Sequence, residues 1–150
     1  MEMAVQLALD NVKDNRGGPF GAVVVKDGEI VGVGQNRVTN LNDPTAHAEV
    51  QAIRDACQAL NSYRLDDCEL YTSCEPCPMC LGAIFWARPK VVYFACTKED
   101  AANIGFDDKF IYEQLEVPYE NRQIPMMKIY PKNADLAFKA WTQSNDKITY

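Results

Sequence analysis

A single histidine and a distant pair of cysteines set the strongest condition on how this chain can fold. His47 lies two residues before Glu49, and Cys77 and Cys80 follow about thirty residues later, directly after Pro76. An imidazole nitrogen and two thiolates are ligands that Zn²⁺ prefers, and three protein ligands leave a fourth tetrahedral position open. An open position is typical of a catalytic zinc, so the fold must bring these residues to one point.

A further cysteine leaves a non-enzymatic alternative open. Cys74 precedes Cys77 by three residues, so Cys74, Cys77, Cys80 and His47 could form a closed Cys₃His structural zinc module. The gap of about thirty residues is unlike the 12–15 of a zinc finger, and Glu49 would have no role beside a closed metal. We therefore expect one zinc per chain, held by His47, Cys77 and Cys80. Glu49 would move the proton of the zinc-activated water.

The composition is that of a folded globular chain. With 150 residues, 47% hydrophobic and 24% charged, we expect one domain over residues 1–150 that buries about 70% of the surface of its unfolded chain. No apolar run reaches the roughly 18 residues of a membrane span, and no signal peptide is recognisable. The sequence therefore predicts a cytoplasmic protein that does not interact with membranes.

The net charge disfavours nucleic acid as a partner. The chain carries a formal charge of −6 and a pI near 4.7, whereas nonspecific nucleic-acid affinity comes mainly from Lys and Arg that neutralise phosphates. A small, weakly charged substrate fits better. A local basic patch with Arg37, Arg54 or Arg64 would still allow RNA binding on an acidic protein.

The hydrophobic pattern predicts alternating helices and strands. An amphipathic helix opens the chain, with Met1, Val5, Ala8 and Val12 at helical spacing. Strands over 20–25 and 30–33 form a hairpin, and strands over 70–73 and 91–95 flank a helix over 79–86. That strand–helix–strand order implies a right-handed parallel crossover. A fifth, edge strand is expected over 126–130, and a final helix over 134–145.

The metal-binding residues are expected at the starts of two helices. Asp43 and Pro44 are a typical N-cap and first helical residue, which would place His47 and Glu49 in the first turns of a helix that ends near residue 60. Cys77 and Cys80 would begin the next helix, where the macrodipole and the unpaired N–H groups favour thiolates. Two helix N-termini would then converge on the zinc.

The residues of these motifs resemble those of a known enzyme family. The His-x-Glu and Pro-Cys-x-x-Cys pattern is the signature of zinc nucleobase deaminases. The longer segments 44–49 and 74–83 resemble the purine-handling branch of the cytidine-deaminase-like superfamily, and within it the bacterial guanine deaminases. The resemblance extends over nearly the whole chain and includes Gly17–Ala22, Asn40–Glu49, Gly105–Asp108 and Tyr150.

This resemblance implies a fold, a reaction and a set of site residues. The fold is a three-layer α/β/α sandwich around a mixed five-stranded sheet, and the reaction is hydrolytic deamination of guanine to xanthine and ammonia. By family position, Glu49 and Asp108 are catalytic. The residues that would bind substrate are Phe20, Asn36, Trp86, Asp108 and Tyr150. Each also has an ordinary structural interpretation: a core or surface aromatic, a turn former, or, for Asp107 and Asp108, a solvated acid or helix N-cap.

The resemblance leaves two questions open: which nucleobase is the substrate, and which subunit's pocket the C-terminal segment closes. Adenosine deamination in tRNA, or deamination of another nucleobase, shares nearly the same motif. The family also implies a homodimer in which the C-terminal segment, about residues 131–150, is a candidate for exchange between subunits. Such a tail closes its own pocket or that of its neighbour, and we expect the neighbour's.

Overall fold

The structure is a computed structural model that describes residues 1–150, and it forms two compact units, residues 1–109 and 110–150. The helices are α1 (Glu2–Lys13), α2 (Val38–Leu41), α3 (Ala48–Leu60), α4 (Pro78–Ala87), α5 (Lys98–Asn103), α6 (Lys109–Glu116) and α7 (Leu136–Gln143). The strands are β1 (Gly21–Lys26), β2 (Glu29–Gln35), β3 (Cys68–Cys74) and β4 (Val91–Cys96). A single domain over the whole chain stays a prediction.

The first unit is built on a mixed four-stranded sheet in the order β2-β1-β3-β4. β1 pairs antiparallel with β2 and with β3, and β3 pairs parallel with β4. The predicted hairpin and the predicted parallel crossover through α4 are both confirmed. The predicted five-stranded sheet is wrong by one strand, which leaves β4 as an unpaired edge of this sheet.

Helices cover both faces of the sheet, because successive residues of β1 point to opposite sides. Gly21 lies against α1, whereas Ala22 belongs to a buried cluster with residues of α3. On β2, a Cβ atom at Gly34 would collide with the backbone oxygen of Ala48. Glycine on the strand and alanine on the helix therefore let α3 lie unusually close to the sheet.

The opening helix buries a different stripe from the expected one. The buried residues of α1 are Ala4, Ala8 and Asn11, whereas Val5 and Val12 are 45% and 49% exposed. Small side chains are needed where α1 approaches the strand backbone, so the larger apolar residues are turned outward. The helix itself was predicted correctly, but the orientation of its apolar stripe was not.

The start of α3 also differs from the prediction. The helix begins at Ala48 with His47 as its extended N-cap residue, four residues later than an Asp43 N-cap would place it. Asp43 instead accepts hydrogen bonds from the backbone N–H and the hydroxyl of Thr45, at 2.8 and 2.7 Å. Asp43 and Pro44 therefore form a turn before the helix.

The second unit holds most of α6, a 3₁₀ turn over Tyr119–Asn121 and α7. The predicted strand over 126–130 is not a strand: these residues have no partner in the sheet. Pro125 and Pro131 flank the segment, and proline cannot donate a ladder hydrogen bond. The predicted final helix over 134–145 is shorter at both ends.

None of the helices in the structure has both the length and the apolar character that crossing a membrane requires. The cytoplasmic location stays a prediction.

Candidate zinc site and its surroundings

Three side chains converge at the N-termini of α3 and α4. The Nδ1 atom of His47 lies 3.5 Å from the Sγ atom of Cys77 and 3.5 Å from that of Cys80, and the three potential ligand atoms lie within 4.8 Å of one another. Zn–N bonds of about 2.0–2.1 Å and Zn–S bonds of about 2.3 Å at tetrahedral angles separate N and S by about 3.5–3.6 Å. The observed distances therefore fit a zinc ion.

The local backbone explains why these residues meet. His47 and Cys77 are both extended N-cap residues, with ψ of 156° and 168°, so each side chain projects from the open end of its helix. Pro78 occupies the first helical position, where its missing N–H costs nothing. Cys80 follows one turn later on the same face, which confirms the expected convergence of two helix N-termini.

The two thiols influence each other's acidity. A hydrogen bond from Cys80 lowers the pKa of the Cys77 thiol to about 4, and the His47 ring acts in the same direction. The contact with Cys77, burial and the charge of Glu49 raise the pKa of Cys80. A cation between the two sulfurs would stabilise both as thiolates.

Glu49 is a buried carboxyl beside this cluster. Only 6% of the residue is exposed, and its Oε2 atom accepts a hydrogen bond from Cys80 Sγ at 3.4 Å. Burial is the main cause that raises the pKa of Glu49, because a charged carboxylate is poorly solvated there. Since His47 is the N-cap, Glu49 lies in the first turn and reaches the metal ligands without having to share a helical face with His47.

Cys74 lies outside the cluster. Its Sγ atom donates to the carbonyl oxygen of Thr97 at 3.4 Å, and burial raises the pKa of the Cys74 thiol to about 11. The Cys74 thiol is thus engaged with a backbone carbonyl and does not belong to the group of candidate ligands. The ligand group comprises three residues, which argues against the closed Cys₃His module.

The predicted base-binding residues lie in different surroundings. Asn36 is buried, and its Oδ1 atom accepts from the backbone N–H of Val38 at 3.3 Å. Phe20 is partly buried against the core. Trp86 is 62% exposed on α4, and Tyr150, in the C-terminal unit, is 70% exposed. The structure thus gives Asn36 and Phe20 a fixed environment.

The two neighbouring aspartates also differ. The exposed Asp107 accepts a hydrogen bond from the backbone N–H of Lys109 at 2.9 Å, as a turn residue before α6. Asp108 is half-buried, and the pKa of its carboxyl is raised, first by burial and then by the negative charge of Cys77. Of the two, Asp108 is the one whose electrostatic environment includes a zinc-ligand candidate.

Two residues near the site were missed from the sequence. Phe106 packs edge-to-face on Phe20, with ring centroids 5.0 Å apart. Asn11, on α1, donates to the carbonyl oxygens of Gly18 and Asn36, both at 2.8 Å. A Cβ atom at Gly17 would collide with the Asn36 oxygen, so this glycine allows the loop to approach. Phe106 lies within the Gly105–Asp108 motif, and Asn11 continues the buried stripe of Ala4 and Ala8.

Comparison with known proteins agrees with this geometry. The profile of the family described as "Cytidine and deoxycytidylate deaminase zinc-binding region" matches residues 1–96. The chain is 56% identical to the guanine deaminase of Bacillus subtilis over 150 residues, which cover 100% of this chain and 96% of that protein. It is 40% identical to the tRNA-specific adenosine deaminase of Aquifex aeolicus over 107 residues, or 71% of this chain and 68% of the relative.

A solved structure extends the comparison to three dimensions. The X-ray structure of guanine deaminase from Bacillus subtilis superposes with a TM-score of 0.97 at 56% identity. The superposition covers 99% of this chain and 95% of that chain. The similarity therefore continues through residues 97–150, beyond the part that the family profile matches.

Proposed function

The chain belongs to the cytidine and deoxycytidylate deaminase zinc-binding family, and we propose that within it the chain is a guanine deaminase. The reaction is guanine plus water to xanthine plus ammonia. The observation that carries hydrolytic deamination is the convergence of His47, Cys77 and Cys80 beside the buried Glu49, and the end-to-end similarity to a guanine deaminase carries the choice of base. That arrangement supplies an open metal position and an adjacent proton carrier.

The extent of similarity favours guanine over adenosine in tRNA. The relative named a guanine deaminase matches the chain from end to end, whereas the tRNA-specific relative matches 71% of it. The two kinds of enzyme share the metal motif, so the remaining part of the chain carries the distinction. A net charge of −6 also supports a small base over a polyanionic substrate.

The chain's own residues account for the proton movements. When bound, zinc lowers the pKa of a water molecule to roughly 7 and so supplies hydroxide at neutral pH. Glu49 takes up the proton that this water releases and passes it to N3 of guanine, while the new C–O bond forms at C2. Glu49 then takes the remaining proton from the new C2 hydroxyl and delivers it to the exocyclic amine, directly or by way of the ionised Asp108. The C–N bond breaks, the C2 carbonyl of xanthine forms, and ammonia leaves. Proton transfer of this kind contributes typically ~10²–10⁴-fold in rate.

Five residues are proposed to contact the base. Asn36 has one amide oxygen engaged with Val38, which leaves its N–H groups to donate to guanine. Phe20, held by Phe106, offers an aromatic surface for a flat ring. Asp108 accepts from the N–H groups of guanine, because an ionised carboxylate is an acceptor only. Trp86 and Tyr150 complete the proposed contacts as aromatic walls.

We further propose a homodimer that exchanges its C-terminal segment, about residues 131–150. Phe85 and Phe94 in the first unit are 76% and 49% exposed, and Ile129 and Phe138 in the second are 84% and 76% exposed. Exposed apolar surface of this extent indicates an interaction site. The unpaired edge of β4 would also gain from a partner segment. The tail with Tyr150 would then close the site of the neighbouring chain.

The direct test is an ammonia assay. Purified zinc-loaded protein is incubated separately with guanine, adenine, cytosine and an RNA hairpin that contains a target adenosine. Turnover of guanine well above the other three is expected. Deamination of the hairpin without turnover of free guanine would refute the assignment.

A further inference from the structure

A cavity of about 370 Å³ lies at the β2 edge of the sheet, between that strand and the outer surface of α3. β2 is the strand at the far end of the sheet from β4. Its polar lining includes Gln35, Arg37, Gln51, Arg54, Asp55 and Gln58. None of these residues is a candidate zinc ligand or has a role in the proposed deamination.

The charges of the lining favour an anion. Arg37 has no carboxylate partner, and Arg54 has only Asp43, at 3.9 Å. The one carboxylate of the lining, Asp55, already accepts the backbone N–H of Val33 at 2.9 Å. The two guanidinium groups therefore have only two carboxylates near them, and both are already engaged, Asp43 with Thr45 and Asp55 with Val33.

The lining also contains an unsatisfied amide. The Nε2 atom of Gln51 is buried and has no hydrogen-bond partner. Buried polar groups are nearly always hydrogen-bonded, so a rotation of this amide toward an acceptor in the cavity would be favourable. Gln35 donates its Nε2 hydrogen to the carbonyl oxygen of Leu7 at 2.8 Å, which holds that side chain in place.

We propose that this cavity binds a phosphate monoester carried on a nucleoside-sized body, that is, a nucleoside monophosphate. Guanidinium groups match phosphate oxygens in a planar, bidentate geometry, and Arg37 and Arg54 provide two of them. A volume of about 370 Å³ is larger than phosphate alone needs and is in the range of about 300–1,000 Å³ typical of small-molecule sites. The glutamine amides provide both donors and acceptors for the edge of a base.

An extended RNA is the less suitable ligand for this cavity. Binding of a polyanion requires several Lys or Arg residues along its backbone, whereas the lining contains two. Arg64, which would have to enlarge the patch, is paired with Asp66 at 2.8 Å and does not line the cavity.

The cavity is distinct from the zinc site but shares a helix with it. The backbone N–H of Gln51 donates to the carbonyl oxygen of His47 at 3.0 Å, and that of Arg37 donates to Ala46 at 2.9 Å. The N-terminus of α3 thus belongs to the zinc site, whereas its outer surface lines the cavity. A ligand here has no need to displace the base.

Isothermal titration calorimetry on the full-length, zinc-loaded protein tests the proposal. The ligands are a nucleoside 5′-monophosphate, the parent nucleoside and inorganic phosphate. We expect the monophosphate to bind with a Kd below about 1 mM and the other two at least about tenfold more weakly. Arg37→Gln and Arg54→Gln should each weaken the monophosphate about tenfold or more. The matched control, Arg64→Gln, removes one exposed charge elsewhere and should leave the Kd unchanged.

Several results would overturn the proposal. Absence of binding up to about 10 mM monophosphate, or an equal loss in Arg64→Gln, would refute a built site. Inorganic phosphate that binds as tightly would refute the nucleoside part. Competition by free guanine would show that the monophosphate binds at the zinc site instead. Tighter binding of an RNA hairpin through the same two arginines would show that the cavity is an RNA contact. Because heat of binding is measured, the test is independent of guanine turnover.

Discussion

The first 109 residues and the last 41 differ in how completely their own chain covers their apolar side chains. In the first unit, residues of β1, β3, α3 and α4 form a buried cluster, and α3 and α4 begin at the candidate zinc ligands His47 and Cys77. Between residues 110 and 150 no residue is buried, and Ile124, Met127 and Ile129 are each more than four-fifths exposed. The elements that carry the candidate zinc ligands are therefore packed by their own unit, whereas the C-terminal unit presents exposed apolar surface that is suited to a partner.

The relatives divide the chain at a nearby point, within the first unit. The family profile ends at residue 96, whereas the similarity to the Bacillus subtilis guanine deaminase continues to the end of the chain. Metal chemistry common to the family is thus encoded in the first unit. We expect substrate choice to depend on the later residues as well, and the following variants test this separation.

Loss of a zinc ligand should have the largest effect. His47→Ala or Cys80→Ala removes one of three ligands, so we expect zinc to be lost and guanine turnover to fall by more than the ~10²–10⁴-fold of a proton relay alone. Metal content is measured by elemental analysis and turnover by ammonia release. Cys74→Ala is the control and should retain one zinc per chain. Metal loss in Cys74→Ala would show that the site is closed by a fourth protein ligand.

Loss of the proton carrier should have the next largest effect. Glu49→Gln keeps the size and hydrogen-bonding capacity of the side chain but cannot carry a proton, so zinc should remain while kcat falls by ~10²–10⁴-fold. The measurement pairs kcat with zinc content on the same preparation. Near-normal turnover with full zinc occupancy would contradict the proposed relay.

Removal of the tail tests the C-terminal unit. Deletion of Asp146–Tyr150 should preserve zinc and fold but lower guanine turnover roughly 10- to 100-fold, the scale on which a mispositioned substrate loses rate. Light scattering on both proteins reports whether they are dimers. Unchanged turnover would mean that the tail is a frayed terminus.

A mixing experiment distinguishes exchange from self-closure. The tail-deleted chain keeps Glu49, and an intact Glu49→Ala chain keeps the tail. If tails are exchanged, refolding the two together recovers activity in heterodimers, because one intact site receives the partner's tail. If each tail closes its own site, the mixture stays as inactive as its components.

A pair of neighbouring acids should give the smallest effect. Asp108→Asn should lower kcat/KM for guanine about tenfold, the scale of one charge-assisted hydrogen bond. Asp107→Asn changes an exposed turn residue and should have little effect. A reversed order would show that the family position of Asp108 is displaced by one residue in this loop.

The sequence predicted the parts of this site that depend on the ligand chemistry of side chains and on short sequence motifs. His47, Cys77 and Cys80 were recognisable because few residue types bind zinc, and Pro78 marked the start of α4. The start of α3 was misplaced because Asp43 followed by Pro44 begins a turn as readily as a helix, and the outcome depended on hydrogen bonds with Thr45.

Features that depend on distant partners were not predictable in this way. The fifth strand failed because residues 126–130 have a strand-like composition but lie between Pro125 and Pro131 and do not pair with the sheet. The Phe20–Phe106 contact joins residues far apart in sequence, and no spacing rule connects them. Asn11 carried a weak signal as a polar residue in the buried stripe of α1, although its two carbonyl partners were visible only in the structure.

The close approach of α3 to β2 sets a limit on directed evolution of this enzyme. Any side chain at Gly34 would collide with the backbone of Ala48. Ala48 lies in the sequence between His47, a candidate zinc ligand, and Glu49. In a saturation library selected for a new substrate, we expect Gly34 to be among the least replaceable positions, although it has no catalytic role. Altered specificity should therefore arise from loop residues, because the position of α3 relative to the sheet leaves almost no freedom for change.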